Sequence, residues 1–401
     1  MNLIMKKRIT LKLALTLMLI ASALTCLIIM LTIWLRLGVF SGRFMYVRQY
    51  AALIGVIDKH FIGQADFDDI HTSAMRSAVR ALDDRWSYYM TPDELVSYQT
   101  RTGNRFTGIG VGIEIDEATG GMRVYFVYRG SEAETAGLVA GDIIIGIDGV
   151  DVTGYEIDMV RDLLQRPIGS IAEISVLRAD GTVDTIPVVY GTVFIDPVSY
   201  EMIDENIGYI ALSNFNYGTA NSFINALDHL MRRGALSFVF DVRSNGGGTV
   251  AEMTKILDHL LPEGEIFIAV DRSGEEHVIY SAGPGQVDLS AVVLVDRGSF
   301  SAAEYFAALL CEYGYADIIG EQTSGKSRSQ QVFRLPGGGA ANISSAQYLT
   351  KNRVSLFDAG GLTPNHIIPL TDYEYALVAA GNLEKSADPQ LNKAIALLTK
   401  Q

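Results

Sequence analysis

The chain has 401 residues, which is enough for two or three domains, and its net charge at pH 7 is −14. This acidic balance argues against a nucleic-acid-binding surface, because contacts to phosphates need clustered Lys and Arg side chains. Of the two cysteines, Cys26 lies in an apolar N-terminal segment and Cys311 far downstream. They therefore provide neither a disulfide within the soluble part nor a thiolate metal site.

Residues 13–35 form an apolar stretch without charge, long enough to cross a bilayer. Four basic residues precede it, which predicts a cytoplasmic N-terminus (residues 1–12) and an extracytoplasmic remainder: Lys6, Lys7, Arg8 and Lys12. A cleaved signal peptide is the alternative, since Ala21-Ser22-Ala23 is similar to a cleavage site. Because the apolar run continues past that site, we expect an uncleaved, single-pass membrane anchor.

Residues 36–103 have mostly the apolar spacing of helices. Near their end, Thr91 is placed to cap a helix that has Pro92 at its first position and Glu94 at its third. Residues 376–401 predict a C-terminal helical segment. These outer helices either pack within one chain or mediate a homodimer, and the sequence leaves both open.

Residues 104–190 change to alternating strands. Glycines 108, 110 and 112 leave backbone N–H groups open ahead of a strand, an arrangement that can bind the terminal carboxylate of a peptide that adds as a further strand. The motifs FTGIG (residues 106–110) and AGLVAGD (residues 136–142), in this order, resemble a PDZ domain. The resemblance implies a peptide-binding loop made of Phe106, Thr107, Gly108, Ile109 and Gly110.

Residues 191–375 alternate between strands and helices. Within them, DVRSNGGG (residues 241–248) follows a buried strand and precedes a helix, the layout of a site at the carboxyl ends of strands. The N–H groups of this turn could donate to an oxyanion. Taken alone, the motif fits an ordinary turn equally well.

Ser301 lies where a predicted strand, a tight turn and a predicted helix follow one another. A serine at a helix N-terminus is exposed beside free N–H groups that can stabilise an oxyanion. Two other interpretations stay open. Ser301 and Glu304 also form the S-x-x-E pattern of a capping box, and Ser299 is a rival nucleophile.

Lys326 lies in a glycine-bracketed loop after the next predicted strand. A neutral lysine can activate a serine if burial lowers the lysine pKa by roughly three units from about 10.4. Gln330 could hold the amine without restoring its charge. The same loop, GEQTSGKS, also matches the P-loop pattern. A P-loop runs into a helix, whereas the residues after Lys326 alternate like a strand.

In this order, the motifs resemble the C-terminal processing peptidase (tail-specific protease) family, whose members are serine–lysine proteases with a PDZ domain. The match covers residues 50–369 and rests on the PDZ segment together with LDDRWSYYMTPDE, IGYI, DVRSNGGG, GSFSAAE, GEQTSGKSRSQ and GLTPN. It implies Ser301 as nucleophile, Lys326 as base and Gln330 as the residue that assists the lysine. It also implies oxyanion donors on the backbone of Ala302, Gly247 and Gly248.

The resemblance implies an α+β/α/β chain in which an N-terminal transmembrane helix and a helical segment precede a PDZ domain, which is inserted before an α/β serine protease core. We expect a membrane-anchored endopeptidase that cleaves proteins near their C-termini and whose PDZ domain recognises or gates the tail. The chain departs from the family pattern at several positions: Glu132 and Gly246 replace proline, Phe300 replaces alanine, and Ser327-Arg328 replaces a pair of small residues. Of these, Arg328 could crowd the pocket or oppose a neutral Lys326.

We expect no metal and no other cofactor. The histidines show no HExxH spacing and no sign of a Ser–His–Asp triad: His60, His71, His229, His259, His277 and His366. Two other classes of function remain as alternatives. One is a catalytically silent PDZ-containing binding or scaffold protein, and the other is a P-loop nucleotide enzyme.

Overall fold

The computed structural model describes residues 11–36, 44–282, 287 and 289–399. These fall into two compact units, Met1–Ser77 and Ala78–Gln401. Most of the predicted cytoplasmic N-terminus, including Lys6, Lys7 and Arg8, lies outside the described residues.

Three helices belong wholly or mostly to the first unit: α1 (Leu11–Arg36), α2 (Phe44–His60) and α3 (Phe67–Arg80). Within α1, Ala14–Thr32 is long and apolar enough to cross a membrane, and none of that window is buried. Neither α2 nor α3 buries a side chain completely.

The second unit begins with a short strand and a capped helix, β1 (Tyr88–Met90) and α4 (Pro92–Thr102). The predicted start of α4 is confirmed. The Glu94 N–H donates to the Thr91 hydroxyl at 3.3 Å, and the Thr91 N–H donates to the Glu94 carboxylate at 2.9 Å. Pro92 occupies the first turn, where its missing N–H costs no hydrogen bond.

An antiparallel ribbon of β2 (Arg105–Gly108) and β9 (Gly191–Phe194) brackets the next sheet. That sheet runs in the order β3-β4-β5-β7-β8, with β6 paired to β5. Its strands are β3 (Val111–Ile115), β4 (Met122–Val127), β5 (Ile143–Ile147), β6 (Val150–Asp151), β7 (Ile171–Leu177) and β8 (Val183–Val189). Two helices pack on it, α5 (Glu132–Thr135) and α6 (Ile157–Leu163). The Asp148-Gly149 pair, whose sequence is typical of a two-residue hairpin turn, joins β5 to β6.

The centre of the unit is a six-stranded sheet in the order β10-β11-β12-β15-β16-β19, parallel except at β10. The strands are β10 (Val198–Met202), β11 (Ile207–Leu212), β12 (Ser237–Asp241), β15 (Ser290–Val295), β16 (Ala316–Gly320) and β19 (His366–Ile367). The helices are α7 (Thr219–Arg232), α8 (Val250–Leu260), α9 (Ala302–Glu312), α10 (Asp372–Ala379) and α11 (Pro389–Leu398).

Both faces of this sheet are buried, as parallel sheets require. Phe238 and Phe240 pack on the side of α7, α8 and α9, whereas Val239 packs on the side of α11. Neighbouring residues of β12 therefore point to opposite faces, as the two-residue period of a strand dictates.

A second, five-stranded sheet of the core has the order β1-β18-β13-β14, with β17 also paired to β18. Its new strands are β13 (Gly264–Val270), β14 (Glu276–Ala282), β17 (Arg328–Arg334) and β18 (Ala340–Leu349). In it, Tyr88–Met90 pairs with residues 340–342. The sequence did not predict this long-range pairing, which brings the segment before β1 to β18, the partner of the strand β17 that follows Lys326.

Candidate active site

Ser301 lies at the tight turn between β15 and α9. Its backbone dihedral angles are φ 54° and ψ −117°, a region that costs a residue with a side chain about 1–3 kcal/mol. Asp296, which is fully buried, fixes this turn by accepting the N–H groups of Ser244 and Gly298, each at 2.8 Å. Burial raises the pKa of the Asp296 carboxyl. The fold therefore holds Ser301 in a strained, predetermined position.

Ser299, the rival nucleophile, has a structural role instead. Its side chain is fully buried. The hydroxyl donates to the Val242 carbonyl at 2.8 Å and accepts the Asp296 N–H at 3.0 Å. The Ser299 hydroxyl is thus already engaged, which leaves Ser301, only partly buried, as the serine that a substrate can reach.

Glu304 links the two candidate catalytic loops, a role that the sequence analysis missed. Its carboxylate is fully buried and accepts the N–H groups of Ser301 at 2.7 Å and Lys326 at 2.9 Å. It also accepts the Gly325 N–H at 2.7 Å and the Thr323 hydroxyl at 2.5 Å. The S-x-x-E pattern signalled a carboxylate that caps Ser301, but not that the same carboxylate also holds the loop of Lys326.

Lys326 lies between β16 and β17 with a half-buried side chain. Its amine nitrogen Nζ is 4.2 Å from the centre of the Trp86 ring. Burial lowers the pKa of Lys326, and nearby Arg85 acts in the same direction, whereas Glu304 and Asp84 oppose the shift. Within the described part of the chain, no hydrogen bond joins the Ser301 hydroxyl to this amine.

The P-loop interpretation is wrong. Lys326 is followed by strand β17, which begins at Arg328, so the loop has no helix whose N-terminus could cradle a phosphate. The loop instead closes on a neighbouring turn. A side-chain carbon added at Gly325, where φ is +76°, would lie only 2.9 Å from the Gly361 backbone nitrogen.

Contrary to the expectation, no hydrogen bond joins Gln330 to Lys326 among the described residues. Its amide nitrogen donates to the Arg328 carbonyl at 2.7 Å and to the Ser344 hydroxyl at 3.2 Å. A register shift in the pairing of β17 with β18 at Ser329 and Gln330 places the side chain against β18. No motif in the sequence indicates this bulge.

Arg328 interacts with Phe357 and Asp84. Its guanidinium lies 4.8 Å from the centre of the Phe357 ring and 3.8 Å from the Asp84 carboxylate. The neighbouring Ser327 is buried, and its hydroxyl accepts the Phe357 N–H at 3.0 Å. The contacts of Arg328 thus give no support to the concern that it crowds the pocket.

The glycine turn lies directly against Ser301. A side-chain carbon added at Gly247 would be 3.0 Å from the Ser301 Cβ and 3.1 Å from the Ala302 nitrogen, so only glycine fits there. Contrary to the expectation, the Gly247 N–H is not free, because it donates to the Asn245 side chain at 2.8 Å. The N–H groups of Ala302 and Gly248 make no hydrogen bond to any described residue and can serve as donors.

An ion-pair network buried behind this turn was also missed by the sequence analysis. The Arg243 guanidinium donates to Asp241 at 2.6 Å, to Gln390 at 3.0 Å and lies 2.8 Å from Asp388. Both carboxylates and the guanidinium are buried. Because Arg243 directly precedes the glycine turn, the network ties that turn to helix α11.

The predicted peptide-binding loop lines a groove beside β3 and α6. All five loop residues border it, together with Phe126, Tyr128 and Leu164. Strand β3 is an edge strand of its sheet, so its outer N–H and C=O groups can pair with an added peptide. Gly110 has a φ of +91°, and a side-chain carbon there would lie 2.2 Å from Ser131.

One group of side chains in the described ranges has metal-ligand spacing. Asp271, Glu275 and His277 lie on the hairpin between β13 and β14, and all three are exposed. The Asp271 carboxylate already accepts hydrogen bonds from Ser273, which lower its pKa. The group contains none of the predicted catalytic residues.

Comparison with known proteins identifies the family. The chain is 30% identical over 357 residues to the chloroplastic C-terminal processing peptidase of Tetradesmus obliquus, covering 80% of this chain and 76% of the relative. The chain belongs to the carboxyl-terminal-processing peptidases of family S41. Residues 206–368 match the description "Peptidase family S41", and residues 123–178 match "PDZ domain". The S41 segment contains Ser301 and Lys326.

Other carboxyl-terminal-processing peptidases show similar levels of identity. The protease of Picosynechococcus sp. is 29% identical over 332 residues, covering 82% of this chain and 78% of its own. Protease CtpA of Bacillus subtilis is 28% identical over 343 residues, covering 85% of this chain and 73% of its own. The solved structure of a photosystem II D1 C-terminal processing protease is 27% identical, with a TM-score of 0.46 over 85% of this chain and 92% of its own.

Proposed function

We propose that this S41 peptidase uses Ser301 as nucleophile and Lys326 as general base to cleave proteins near their C-termini. One observation carries the assignment. The buried Glu304 carboxylate accepts the backbone N–H groups of both residues, at 2.7 and 2.9 Å. A single anchor that sets two loops against each other is what positioning of a nucleophile and its base requires.

The chemistry starts with Lys326 as a neutral amine. The amine removes the proton from the Ser301 hydroxyl, and the serine oxygen attacks the scissile carbonyl. The Lys326 ammonium then gives this proton to the leaving nitrogen, and the tetrahedral intermediate collapses to an acyl-enzyme and a free amine product. Lys326, neutral again, takes a proton from the water that attacks the ester and returns it to the Ser301 oxygen as the second product leaves. In the described conformation the amine lies over Trp86, so rotation of the lysine side chain toward Ser301 comes first.

Ala302 and Gly248 supply the oxyanion donors in this account, because their N–H groups are free, Ala302 follows Ser301, and Gly248 follows Gly247, which lies against Ser301. Gly247 becomes a donor only when its N–H leaves the Asn245 side chain, to which it donates at 2.8 Å. Gln330 would assist Lys326 only after leaving Ser344. In water-excluded sites, each well-aimed donor typically contributes 10²–10³-fold to the rate.

The PDZ domain, which we place at residues 104–190, would bind the substrate tail. The open edge of β3 offers main-chain partners, and the loop at residues 106–110 faces the same groove. Binding there could also gate catalysis. We further propose that residues 13–35 remain uncleaved and anchor the peptidase to a membrane, with the catalytic part extracytoplasmic. An intact mass lacking the first 23 residues would contradict the anchor.

The proposed function is tested by cleavage with the full chain in detergent, using an unstructured protein with an apolar tail. We expect Ser301→Ala and Lys326→Met each to lower kcat/KM by about 10³-fold or more, as for other paired catalytic groups. Lys351→Met is the matched control. Lys351 lies 3.8 Å from the Tyr313 ring centre and has no place in the dyad.

Cleavage by folded Ser301→Ala would eliminate Ser301 as the nucleophile. A parent chain that binds the tail without cutting it would favour the silent binding protein. The same substrate with an amidated C-terminus tests the tail site, since loss of the carboxylate should raise KM. An unchanged KM would contradict recognition of the terminal carboxylate.

A further inference from the structure

Trp86 lies beside both candidate catalytic loops, although it is 240 residues from Lys326 in the sequence. The Lys326 amine is 4.2 Å from the centre of its ring. The ring also contacts Phe300, the residue before Ser301, with 6.5 Å between ring centres. The half-buried indole thus borders the loops of the nucleophile and of the base.

The position of Trp86 is fixed by the second sheet. The Asn342 side chain donates to the Trp86 carbonyl at 3.1 Å, and the Ser344 N–H donates to the Ser87 hydroxyl at 3.0 Å. The same hydroxyl donates to Asp84 at 2.6 Å. Because the loop of Lys326 leads directly into β17 of the same sheet, the ring and the lysine share one scaffold.

An indole ring acts on a lysine amine in two opposed ways. Its face attracts an ammonium ion and thereby favours the charged form. Its apolar bulk excludes water and thereby favours the neutral form. The Arg85 guanidinium, 4.3 Å from the same ring centre, adds a like charge that disfavours the ammonium. The carboxylates of Glu304 and Asp84 act in the opposite direction and favour the ammonium form of Lys326.

We propose that Trp86 is a positioning residue for Lys326, whose indole shields the amine from water and holds it beside the loop of Ser301. The proposal rests on the proposed Ser301–Lys326 dyad and deepens it. Exclusion of water from the amine outweighs the attraction of the ring face for the ammonium ion, because the Arg85 guanidinium already lies against the same ring. Trp86 therefore keeps the lysine available as a neutral base.

Competitive acylation of lysine amines, read by mass spectrometry, tests this in the full chain. The extent of labelling of Lys326 as a function of pH gives the midpoint of its titration, and it needs no catalysis. We expect Trp86→Ala to raise that midpoint by about one unit, which corresponds to a tenfold loss of neutral amine below it. Trp86→Leu, which keeps apolar bulk without a ring face, should leave the midpoint at or below the parental value.

Tyr217→Ala is the matched control, because Tyr217 is an exposed ring that contacts Arg105 at 5.4 Å. It should leave the Lys326 midpoint unchanged. An unchanged or lower midpoint in Trp86→Ala would overturn the proposal. If that variant does not fold, a rise of about one unit in the midpoint of Trp86→Leu would overturn it, because the apolar bulk that remains should still shield the amine. If the Lys326 midpoint rises in Trp86→Ala but the parent chain does not cleave its substrate, the shielding by Trp86 stands and the proposed Ser301–Lys326 dyad is refuted.

Discussion

Replacing Glu304 with alanine should abolish cleavage and lower the free energy of unfolding by about 3–5 kcal/mol. The substitution leaves four donors without their acceptor, among them the N–H groups of Ser301 and Lys326. Each buried, unsatisfied donor costs about 1–3 kcal/mol, and water entering the space left by the side chain recovers part of the sum. Denaturant unfolding followed by tryptophan fluorescence, with Trp34→Phe as background so that Trp86 gives the signal, measures the loss.

Glu374→Ala is the matched control for this experiment. Glu374 caps α10 in the same S/T-x-x-E geometry and accepts the Thr371 N–H at 2.8 Å, but it is only partly buried. Loss of this cap should cost about 1 kcal/mol or less and leave cleavage intact. If Glu304→Ala cost no more than Glu374→Ala, or retained parental kcat, Glu304 would not be the link between the two loops.

Arg243→Met should lower the free energy of unfolding by a similar amount, about 3–5 kcal/mol. The substitution leaves the carboxylates of Asp241 and Asp388 buried without their cation, and Gln390 loses a partner. Removing one member of a buried ion pair is costly because the remaining charge stays desolvated. Because Arg243 supports the glycine turn, kcat should fall as well. Thermal and denaturant unfolding, together with steady-state kinetics, measure both effects.

Arg161→Met provides the comparison for Arg243→Met. Arg161 pairs with Asp158 at 3.0 Å, but both side chains are largely exposed, so its loss should cost less than about 1 kcal/mol. Combining Arg243→Met with Asp388→Asn should recover part of the stability, because it removes one of the uncompensated charges. Equal effects of the two arginine substitutions would contradict the importance of the buried network.

The elements that local patterns determine were predictable from the sequence. The β15–turn–α9 unit, the capped start of α4 and the hairpin at residues 148–149 all follow from spacings of a few residues. The second sheet was not predictable in this way. Its pairing of Tyr88–Met90 with residues 340–342 joins segments about 250 residues apart, and no local period encodes such a partner.

For the candidate site, the sequence indicated candidate residues but not how these residues contact one another. Ser301 and Lys326 were recognisable because glycines, a helix start and a family-like spacing surround them. The contacts of Gln330 with Ser344 and of Gly247 with Asn245 depend on which of several acceptors and donors lies nearest. Such competition is decided by tertiary packing, as is the position of Trp86 over Lys326.

The most direct test of a neutral lysine that activates Ser301 is the pH dependence of serine labelling by a fluorophosphonate. Lysine acts as a base above its pKa, and burial lowers the pKa of Lys326. We therefore predict that Ser301 is the labelled residue, that the labelling rate rises with pH through a midpoint below about 10.4, and that Lys326→Met abolishes labelling. A rate that stays flat between about pH 5 and 9, where a lowered lysine pKa would titrate, or that survives Lys326→Met, would contradict the account.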